Sequence, residues 1–255
     1  MFLRFDACLN GVSFADLDPA IVLRDIIELP PVESKETYQR ALHSGMMVGG
    51  MTRESLSVQL VFMVREYDIS ARARLMDKVA QWVGNGGWLT INSRHGQRLY
   101  VTPDAPVAMG SGLKWTADIN LILTAYERPY WEQQWPTVAV VTDSGNIIPT
   151  GTMPAAYVEV DVKNVGEGDL TTVTLSCGST MIKLDGLTVP PQAYVRIYYT
   201  DDDLMVIEAD GKSALANRTA ESSDDLIAMT RKSNALAVVA DQSVSAVFRA
   251  RGRYR

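Results

Sequence analysis

Apolar and polar residues alternate along much of the chain, and the clearest case is the segment 54–64, ESLSVQLVFMV. The residues on one of its faces are Leu56, Val58, Leu60, Phe62 and Val64. Successive side chains of a strand point to opposite sides, so this period of two predicts a strand with one buried face. Because Val61 and Met63 make the end of the other face apolar, we expect the strand to end buried on both sides. Alternation from Trp115 to Leu123 predicts a second long strand.

One segment, 68–87, breaks this rhythm and predicts a helix. Its apolar residues recur at helical spacing and form one stripe. They are Leu75, Met76, Val79, Trp82 and Val83. Asp68 or Ser70 can cap the first turn, since a side-chain oxygen there accepts a backbone N–H that has no partner inside the helix. The glycines from Gly84 to Gly87 favour an end to the helix, after which WLTINS (88–93) resumes a strand.

The segment 29–52, LPPVESKETYQRALHSGMMVGGMT, lacks strong periodicity but ends in the apolar Met46, Met47 and Met51. A long irregular segment inside a β domain is usually functional or disordered, and flexible polar loops do not carry this apolar content. We therefore predict an arm that lies on a neighbouring subunit. The alternative is a loop that folds back on its own domain.

Beyond Trp131 the pattern changes twice. Residues 136–156 mix short apolar runs with proline and glycine, which predicts a linker between a first domain, 1–135, and a second, 157–255. Short apolar runs separated by turn sequences such as GEGD, LDG and ADGK then return. The candidate strands are 157–164, 171–176, 179–184, 187–190, 194–199, 204–209, 235–240 and 244–253. Many short strands with close turns are typical of an antiparallel sandwich, so we expect a mainly β protein.

The composition of the chain narrows the classes of function that it could have. The chain has 255 residues, of which 47% are hydrophobic and 21% charged, the balance of a folded globular protein. A net charge of −6 argues against electrostatic capture of nucleic acid, which needs an excess of lysine and arginine. Cys8 and Cys177 lie far apart with no CxxC spacing, so two buried thiols in a reducing compartment are expected. No apolar stretch has the length of a signal peptide or a membrane helix, and we expect folding in the cytoplasm without a membrane.

No constellation in the sequence predicts catalysis, a metal site or a cofactor. Motifs of serine hydrolases, zinc proteases and nucleotide-binding proteins are absent. His43 lies in the arm and His95 in a turn, where a surface role is favoured. The acidic runs Asp201–Asp203 and Asp224–Asp225 suit turns, and solvated turn residues are favoured over a weak calcium site or a hydrolase. We expect Leu226 to support the fold and Asp225 to be dispensable, with Asn234 near the start of the next strand.

Two further binding hypotheses remain open. The first is a carbohydrate-binding sandwich that recognises host cell-wall glycans by stacking a sugar on an exposed aromatic residue. The aromatic residues of 157–255 are Tyr157, Tyr194, Tyr198, Tyr199, Phe248 and Tyr254, and the lack of tryptophan there weakens this hypothesis. The second is a basic strand face in FRARGRYR, formed by Arg249, Arg251, Arg253 and Arg255. Pairing with acidic neighbours in the sheet or in an adjoining subunit is favoured over contact with phosphate.

The order of these segments resembles the distal tail protein (Dit) family of tailed bacteriophages. In the first domain the resemblance rests on LRDIIELPP, the glycine-rich arm, RESLSVQLVFMV, ARLMDKVAQWV, WLTINS and ADINLILTAYERPYW. In the second it rests on the acidic SDDL step, a short turn holding an asparagine, and the arginine-rich end. Where relatives often carry a Pro-Gly-x-Asn-like turn, this chain has TRKSN at 230–234.

The resemblance implies an architectural protein. The first domain would be a tail-tube-like β-sandwich or barrel with one helix, and the second a galectin-like sandwich. Six copies would form a ring at the distal end of the tail, with DNA passing through the lumen without specific binding. The partners implied are the tail tube protein, the tail-tip protein and receptor-binding proteins. Within this assembly we predict subunit-interface residues at Tyr38, Met46, Met47, Met51, Arg249, Arg251 and Arg253.

Overall fold

The computed structural model describes residues 5–29, 35–40, 46–52, 55–109, 116–126, 128–200 and 204–254, of which 35–40, 46–52, 108–109 and 116 are described by their backbone alone. The chain divides into two compact units between Trp131 and Glu132. Each unit is built mainly from antiparallel strands, which confirms the prediction of a mainly β protein.

The first unit contains an antiparallel sheet in which seven strands follow the order β2-β1-β7-β8-β10-β6-β3, and β9 also pairs with β10. Its helix is α1 (Ile69–Val83), and short 3-10 turns lie at Phe14–Asp16 and Asn92–Arg94. The strands are β1 (Ala7–Leu9), β2 (Val12–Ser13), β3 (Ile21–Leu29), β4 (Lys35–Arg40), β5 (Met46–Thr52), β6 (Leu56–Arg65), β7 (Gly87–Ile91), β8 (Gln97–Pro103), β9 (Ala108–Met109) and β10 (Thr116–Ala125).

Strand β6 lies between β10 and the edge strand β3 in this sheet. It pairs with β10 from Arg65 to Leu56 and with β3 on its other side. All five residues of its predicted inner face are buried. The expectation that the strand ends buried on both sides is wrong, because Val61 and Met63 are only half-buried on the outer face. This sheet therefore has one core face and one partly exposed face.

Helix α1 confirms the predicted helix and fixes its cap. The Asp68 carboxylate accepts hydrogen bonds from the backbone N–H groups of Ser70 and Ala71, both at 3.2 Å, so Asp68 rather than Ser70 is the cap. The helix ends at Gly84, whose φ of 49° is readily adopted by glycine. Its buried residues are Leu75, Val79 and Val83.

The segment predicted as an irregular arm contains regular structure. Strands β4 and β5 pair antiparallel, with Tyr38 opposite Val48 and Gln39 opposite Met47. The weak side-chain periodicity of this segment hid the hairpin, because backbone pairing does not require alternating apolar and polar side chains. Among the described strands, β4 and β5 pair only with each other.

The second unit contains two antiparallel sheets that share one core. The larger has the order β12-β22-β14-β17-β18-β19 with β20 on β14, and the smaller has the order β13-β21-β15-β16; β11 pairs with β23. The strands are β11 (Trp131–Gln133), β12 (Thr137–Val141), β13 (Ser144–Ile147), β14 (Ala155–Asn164), β15 (Val173–Cys177), β16 (Thr180–Leu184), β17 (Tyr194–Tyr199), β18 (Met205–Ala209), β19 (Lys212–Ser213), β20 (Ile227–Met229), β21 (Asn234–Ala240), β22 (Val244–Ala250) and β23 (Arg253–Tyr254). A 3-10 turn lies at Leu215–Asn217.

Three sequence expectations in this region need correction. The segment assigned to a linker, 136–156, holds β12 and β13, which extend one sheet each. The candidate strand 187–190 is reduced to a single bridge between Val189 and Leu170. The candidate strand 244–253 is interrupted after Ala250, since the backbone of Gly252 passes so close to Thr150 that a Cβ would lie 1.9 Å from its carbonyl oxygen. That crossing ends β22 and separates it from β23.

Candidate functional site

The acidic step at Asp224 and Asp225 lies in an exposed turn before β20. Asp224 is fully exposed, and its carboxylate lies 3.5 Å from Arg218 Nη2. Leu226, which directly follows Asp225, is completely buried in the core of the second unit. The described residues contain no group of three or more histidine, cysteine or acidic side chains that could hold a metal ion. The geometry is therefore that of a turn whose anchor is Leu226.

Tyr199, whose ring stacks on Tyr157, is hydrogen-bonded to the backbone of this turn. The hydroxyl of Tyr199 accepts the N–H of Leu226 at 3.0 Å, and its ring stacks on Tyr157 with centroids 4.3 Å apart. The guanidinium of Arg253 covers Tyr157 at 4.1 Å from the ring centroid. Burial raises the pKa of Tyr199 well above its ordinary value, so the hydroxyl stays neutral and keeps its hydrogen bond over the physiological range.

The turn TRKSN is closed by the side chain of Asn234, which is the first residue of β21, as expected. Its Oδ1 accepts the N–H of Met229 at 2.7 Å. Its Nδ2 donates to the carbonyl oxygens of Lys232 at 2.8 Å, Met229 at 2.9 Å and Ile147 at 3.2 Å. Arg231 takes up a φ of 59° in the same turn. One buried amide thus joins β20, the turn and β13.

The arginine row predicted for an interface contacts the second unit itself. Arg249 Nη1 donates to Asp161 Oδ2 at 2.7 Å on the neighbouring strand. Arg251 Nη1 donates to the carbonyl oxygen of Gln134 at 2.7 Å. Because β22 ends at Ala250, these two arginines and Arg253 do not form one continuous strand face. Pairing with an acidic neighbour in the sheet is observed for Arg249; a role between subunits stays a prediction.

The remaining candidates lie partly outside the described residues. Tyr38, Met46, Met47 and Met51 fall on β4 and β5, where the structure describes the backbone but not the side chains. His43 and Asp201–Asp203 lie outside the described residues, the latter between β17 and β18. His95 is exposed in the turn after the 3-10 segment Asn92–Arg94. Among the described helices, none combines the length and the apolar character needed to span a bilayer.

The two thiols differ in exposure, and this gives a direct test of the second core. Cys177 is fully buried, and burial raises its pKa to about 11; burial is also the main cause that raises the pKa of the partly exposed Cys8. Since the thiolate is the reactive form, we expect a disulfide reagent at pH 8 to label Cys8 alone in the folded protein. Cys177 should react only after denaturation. Equal labelling rates in the folded protein would contradict the burial of Cys177.

A shallow cleft of about 320 Å³ opens at the end of the larger sheet in the second unit. Its lining residues are Gln192, Ala193, Tyr194, Arg196, Glu208, Asp210 and Gly211. The lining includes a cross-strand pair, Arg196 opposite Glu208, and Tyr194. Sequence reasoning named Tyr194 as an aromatic residue of this domain but could not find the cleft, because its walls come from two turns separated in sequence.

Comparison with known proteins identifies the fold. No protein-family model and no curated protein matches the chain. The chain superposes on the SPP1 Dit protein (gp 19.1), described as a paradigm of the hub adsorption apparatus in phages that infect Gram-positive bacteria. The TM-score is 0.69 at 11% identity, over 97% of this chain and 98% of that one. This chain has the Dit fold.

Two structures of the phage p2 baseplate in its activated conformation are also similar. The form with strontium gives a TM-score of 0.53 at 8% identity and covers 97% of both chains. The form with calcium gives a TM-score of 0.53 at 9% identity and covers 99% of this chain and 98% of the other. The predicted resemblance to the Dit family is therefore confirmed for the fold across nearly the whole chain.

Proposed function

We propose that this protein is a structural component of a phage or prophage tail. It forms a ring that joins the tail tube to the tail tip and anchors peripheral baseplate proteins. The observation that carries the proposal is the likeness to SPP1 Dit over 97% of the chain, both units included. A match confined to one sandwich would carry little weight, since sandwiches host many functions. The proposal assigns the protein no enzymatic activity.

The hairpin β4–β5 supports a ring on physical grounds. A two-stranded hairpin is marginally stable in water by itself, and these strands pair with no other described strand. A neighbouring copy would supply the missing surface. In a closed ring each contact joins two different patches, so the hairpin of one copy meets another surface on the next.

The acidic balance of the chain suits the same proposal. With a net charge of −6, the protein has no overall attraction for the phosphate backbone. DNA would pass through the ring without specific binding. The proposed protein partners are the tail tube protein, the tail-tip protein and a receptor-binding protein, and the proposed location is the distal end of the tail.

The register of β3 and β6 allows the segment 30–54 to be removed, which tests whether the arm is needed for ring formation. Leu29 lies opposite Ser57 in an antiparallel pair, so the chain could connect β3 to β6 through a short turn. We expect that replacing residues 30–54 by Asn-Gly yields a folded protein that no longer forms rings. Light scattering and native mass spectrometry at micromolar concentrations measure the oligomer, and circular dichroism checks the fold.

The control is Val239→Ser, at a position that is 67% exposed on β21 of the second unit, far in sequence from the arm. It should leave ring formation unchanged. A full chain that stays monomeric at every concentration, with purified tail tube protein present, would contradict the proposed ring. Rings of unchanged mass from the excised variant would instead reject the hairpin as the subunit contact.

A further inference from the structure

Strand β12 is an edge of the larger sheet in the second unit, and one side of its backbone is open. Among the described strands it pairs with β22 alone, from Thr137 opposite Ala250 to Val141 opposite Ala246. No turn or side chain of the described residues is hydrogen-bonded to the backbone of β12 on its other side. Because alternate residues of an antiparallel strand direct their N–H and C=O groups to opposite sides, this edge presents donors and acceptors without a partner.

The edge strand β16 of the smaller sheet, by contrast, is covered by the chain itself. The N–H groups of Ser223 and Thr219 donate to the carbonyl oxygens of Met181 at 2.7 Å and Lys183 at 3.0 Å. The hydroxyls of Ser223 and Ser222 accept the N–H groups of the same two strand residues, both at 3.0 Å. Uncovered edges promote unwanted pairing between chains, so an edge that stays open beside a covered one is an indication of use.

The side chains that β12 directs to solvent are apolar. Val138 is 52% exposed and Val140 is 69% exposed, and Trp135, just before the strand, is 69% exposed. Val140 lies opposite the half-buried Val247 of β22, so the apolar surface continues onto the next strand. Open edges usually carry lysine or proline, whereas the five residues of β12 include neither. Their β-branched side chains suit a further strand beside them.

The charge beside this edge is negative. Asp143 follows the end of β12 and is exposed, and its carboxylate forms no ion pair or hydrogen bond with any residue that the structure describes. Its carbonyl oxygen accepts the N–H of Val238 at 2.8 Å, which fixes the backbone there. Residues 132–255 include 16 acidic and 11 basic residues, so the wider surface also attracts a cation. A strand antiparallel to β12 would begin beside Val141, two residues from Asp143.

We propose that β12 binds an extended segment of a peripheral baseplate protein, which joins the larger sheet as an antiparallel strand. The segment matches the five residues of β12, is uncharged and β-branched at its centre, and has lysine or arginine at its N-terminal end beside Asp143. Backbone hydrogen bonds supply the affinity, and the charge sets the direction of the strand. The identity of the partner rests on the proposed function, but the pairing itself needs neither the hairpin β4–β5 nor a ring.

A second copy of this chain fits the edge less well. Antiparallel pairing of β12 with itself about Ala139 would place Trp135 of the other copy, rather than a cation, beside Asp143. Two acidic surfaces would also face each other, which costs free energy. The charges therefore favour a basic segment of another protein over a second copy.

Fluorescence anisotropy on the full chain tests this proposal with the labelled peptide KKVTVTVG. We expect binding with a Kd below about 1 mM, and binding of EEVTVTVG that is weaker by roughly fivefold or more at low salt. Two further peptides carry backbone N-methyl groups, one on the three valines and the other on the two threonines. Because one side of an added strand pairs with β12, at least one of these two peptides should lose binding.

Variants of the chain locate the peptide on this edge. The double variant Val138→Ser and Val140→Ser should weaken binding of KKVTVTVG by roughly tenfold, because cross-strand apolar pairs are lost. Asp143→Lys should reverse the preference, so that EEVTVTVG binds more tightly than KKVTVTVG. The matched control is Val239→Ser, since Val239 is 67% exposed but lies on β21, which has a neighbouring strand on each side.

Three results would each overturn the proposal: no binding of KKVTVTVG at about 1 mM, equal binding of all four peptides, or binding that the double serine variant retains in full. Self-association of the chain that the double variant abolishes would assign the edge to a second copy instead. Ring formation is followed separately by light scattering. A chain that binds the peptide but stays monomeric would contradict the ring alone, and rings that bind no peptide would contradict this inference alone.

Discussion

Asn234→Ala is expected to destabilise the second unit by about 3 kcal/mol, because the substitution removes the four hydrogen bonds of one buried amide and leaves the carbonyl oxygen of the buried Ile147 without this donor. The asparagine is 4% exposed and joins Met229, Lys232 and Ile147 through one amide. Water can reach Met229, which is 43% exposed, but Ile147 is buried and its carbonyl would lose a partner. Loss of the amide should therefore loosen the turn and the edge strand β13 together.

Hydrogen exchange measured by mass spectrometry resolves this effect by region. Peptides that cover 144–147 and 227–240 should exchange faster in Asn234→Ala, while those from the first unit should not change. Asn146→Ala is the matched control: this exposed asparagine on the same strand pair makes one long hydrogen bond, 3.3 Å from Ser233 Oγ. Equal protection in the two variants would show that Asn234 does not hold the turn.

Leu226→Ala is the second large effect, and we expect a loss of about 2–5 kcal/mol in the free energy of unfolding. Leu226 is completely buried among the residues that join the two sheets. Truncation removes the transfer free energy of the lost methyl groups and leaves a cavity beneath the turn. The backbone of Leu226 is hydrogen-bonded to the Tyr199 hydroxyl and to the N–H of Val158. Because these bonds hold the backbone in place, we expect it to shift little into the cavity.

Urea unfolding, followed by hydrogen exchange in the second unit, measures this loss. Asp224→Ala, two residues away, is the control, since its side chain is fully exposed and a surface ion pair contributes little. Its unfolding midpoint should equal that of the parent protein. If Leu226→Ala lowered the midpoint no more than Asp224→Ala, the burial of Leu226 would not be what stabilises this turn.

The turn at Asp224 and Asp225 is one that a local sequence pattern can predict. Two adjacent aspartates followed by a leucine already predict a turn above a buried residue, and the structure has this arrangement. The same reasoning treated Asn234 only as a residue near the start of a strand. Its four bonds depend on the approach of β13, which lies in the segment that the sequence assigned to a linker.

Local periodicity by itself determined the long strands β6 and β10, the helix α1 and the mainly β character, because these follow from which faces are apolar; the choice of Asp68 over Ser70 as the cap came from the structure. Tertiary structure decided the rest. The hairpin β4–β5 and the strands β12 and β13 carry weak patterns, and pairing with a partner strand makes them regular. Gly252 ends a strand through a crossing with Thr150, and the Tyr194 cleft exists because two turns meet at one end of a sheet. These features depend on contacts between residues far apart in the chain, which a local pattern does not encode.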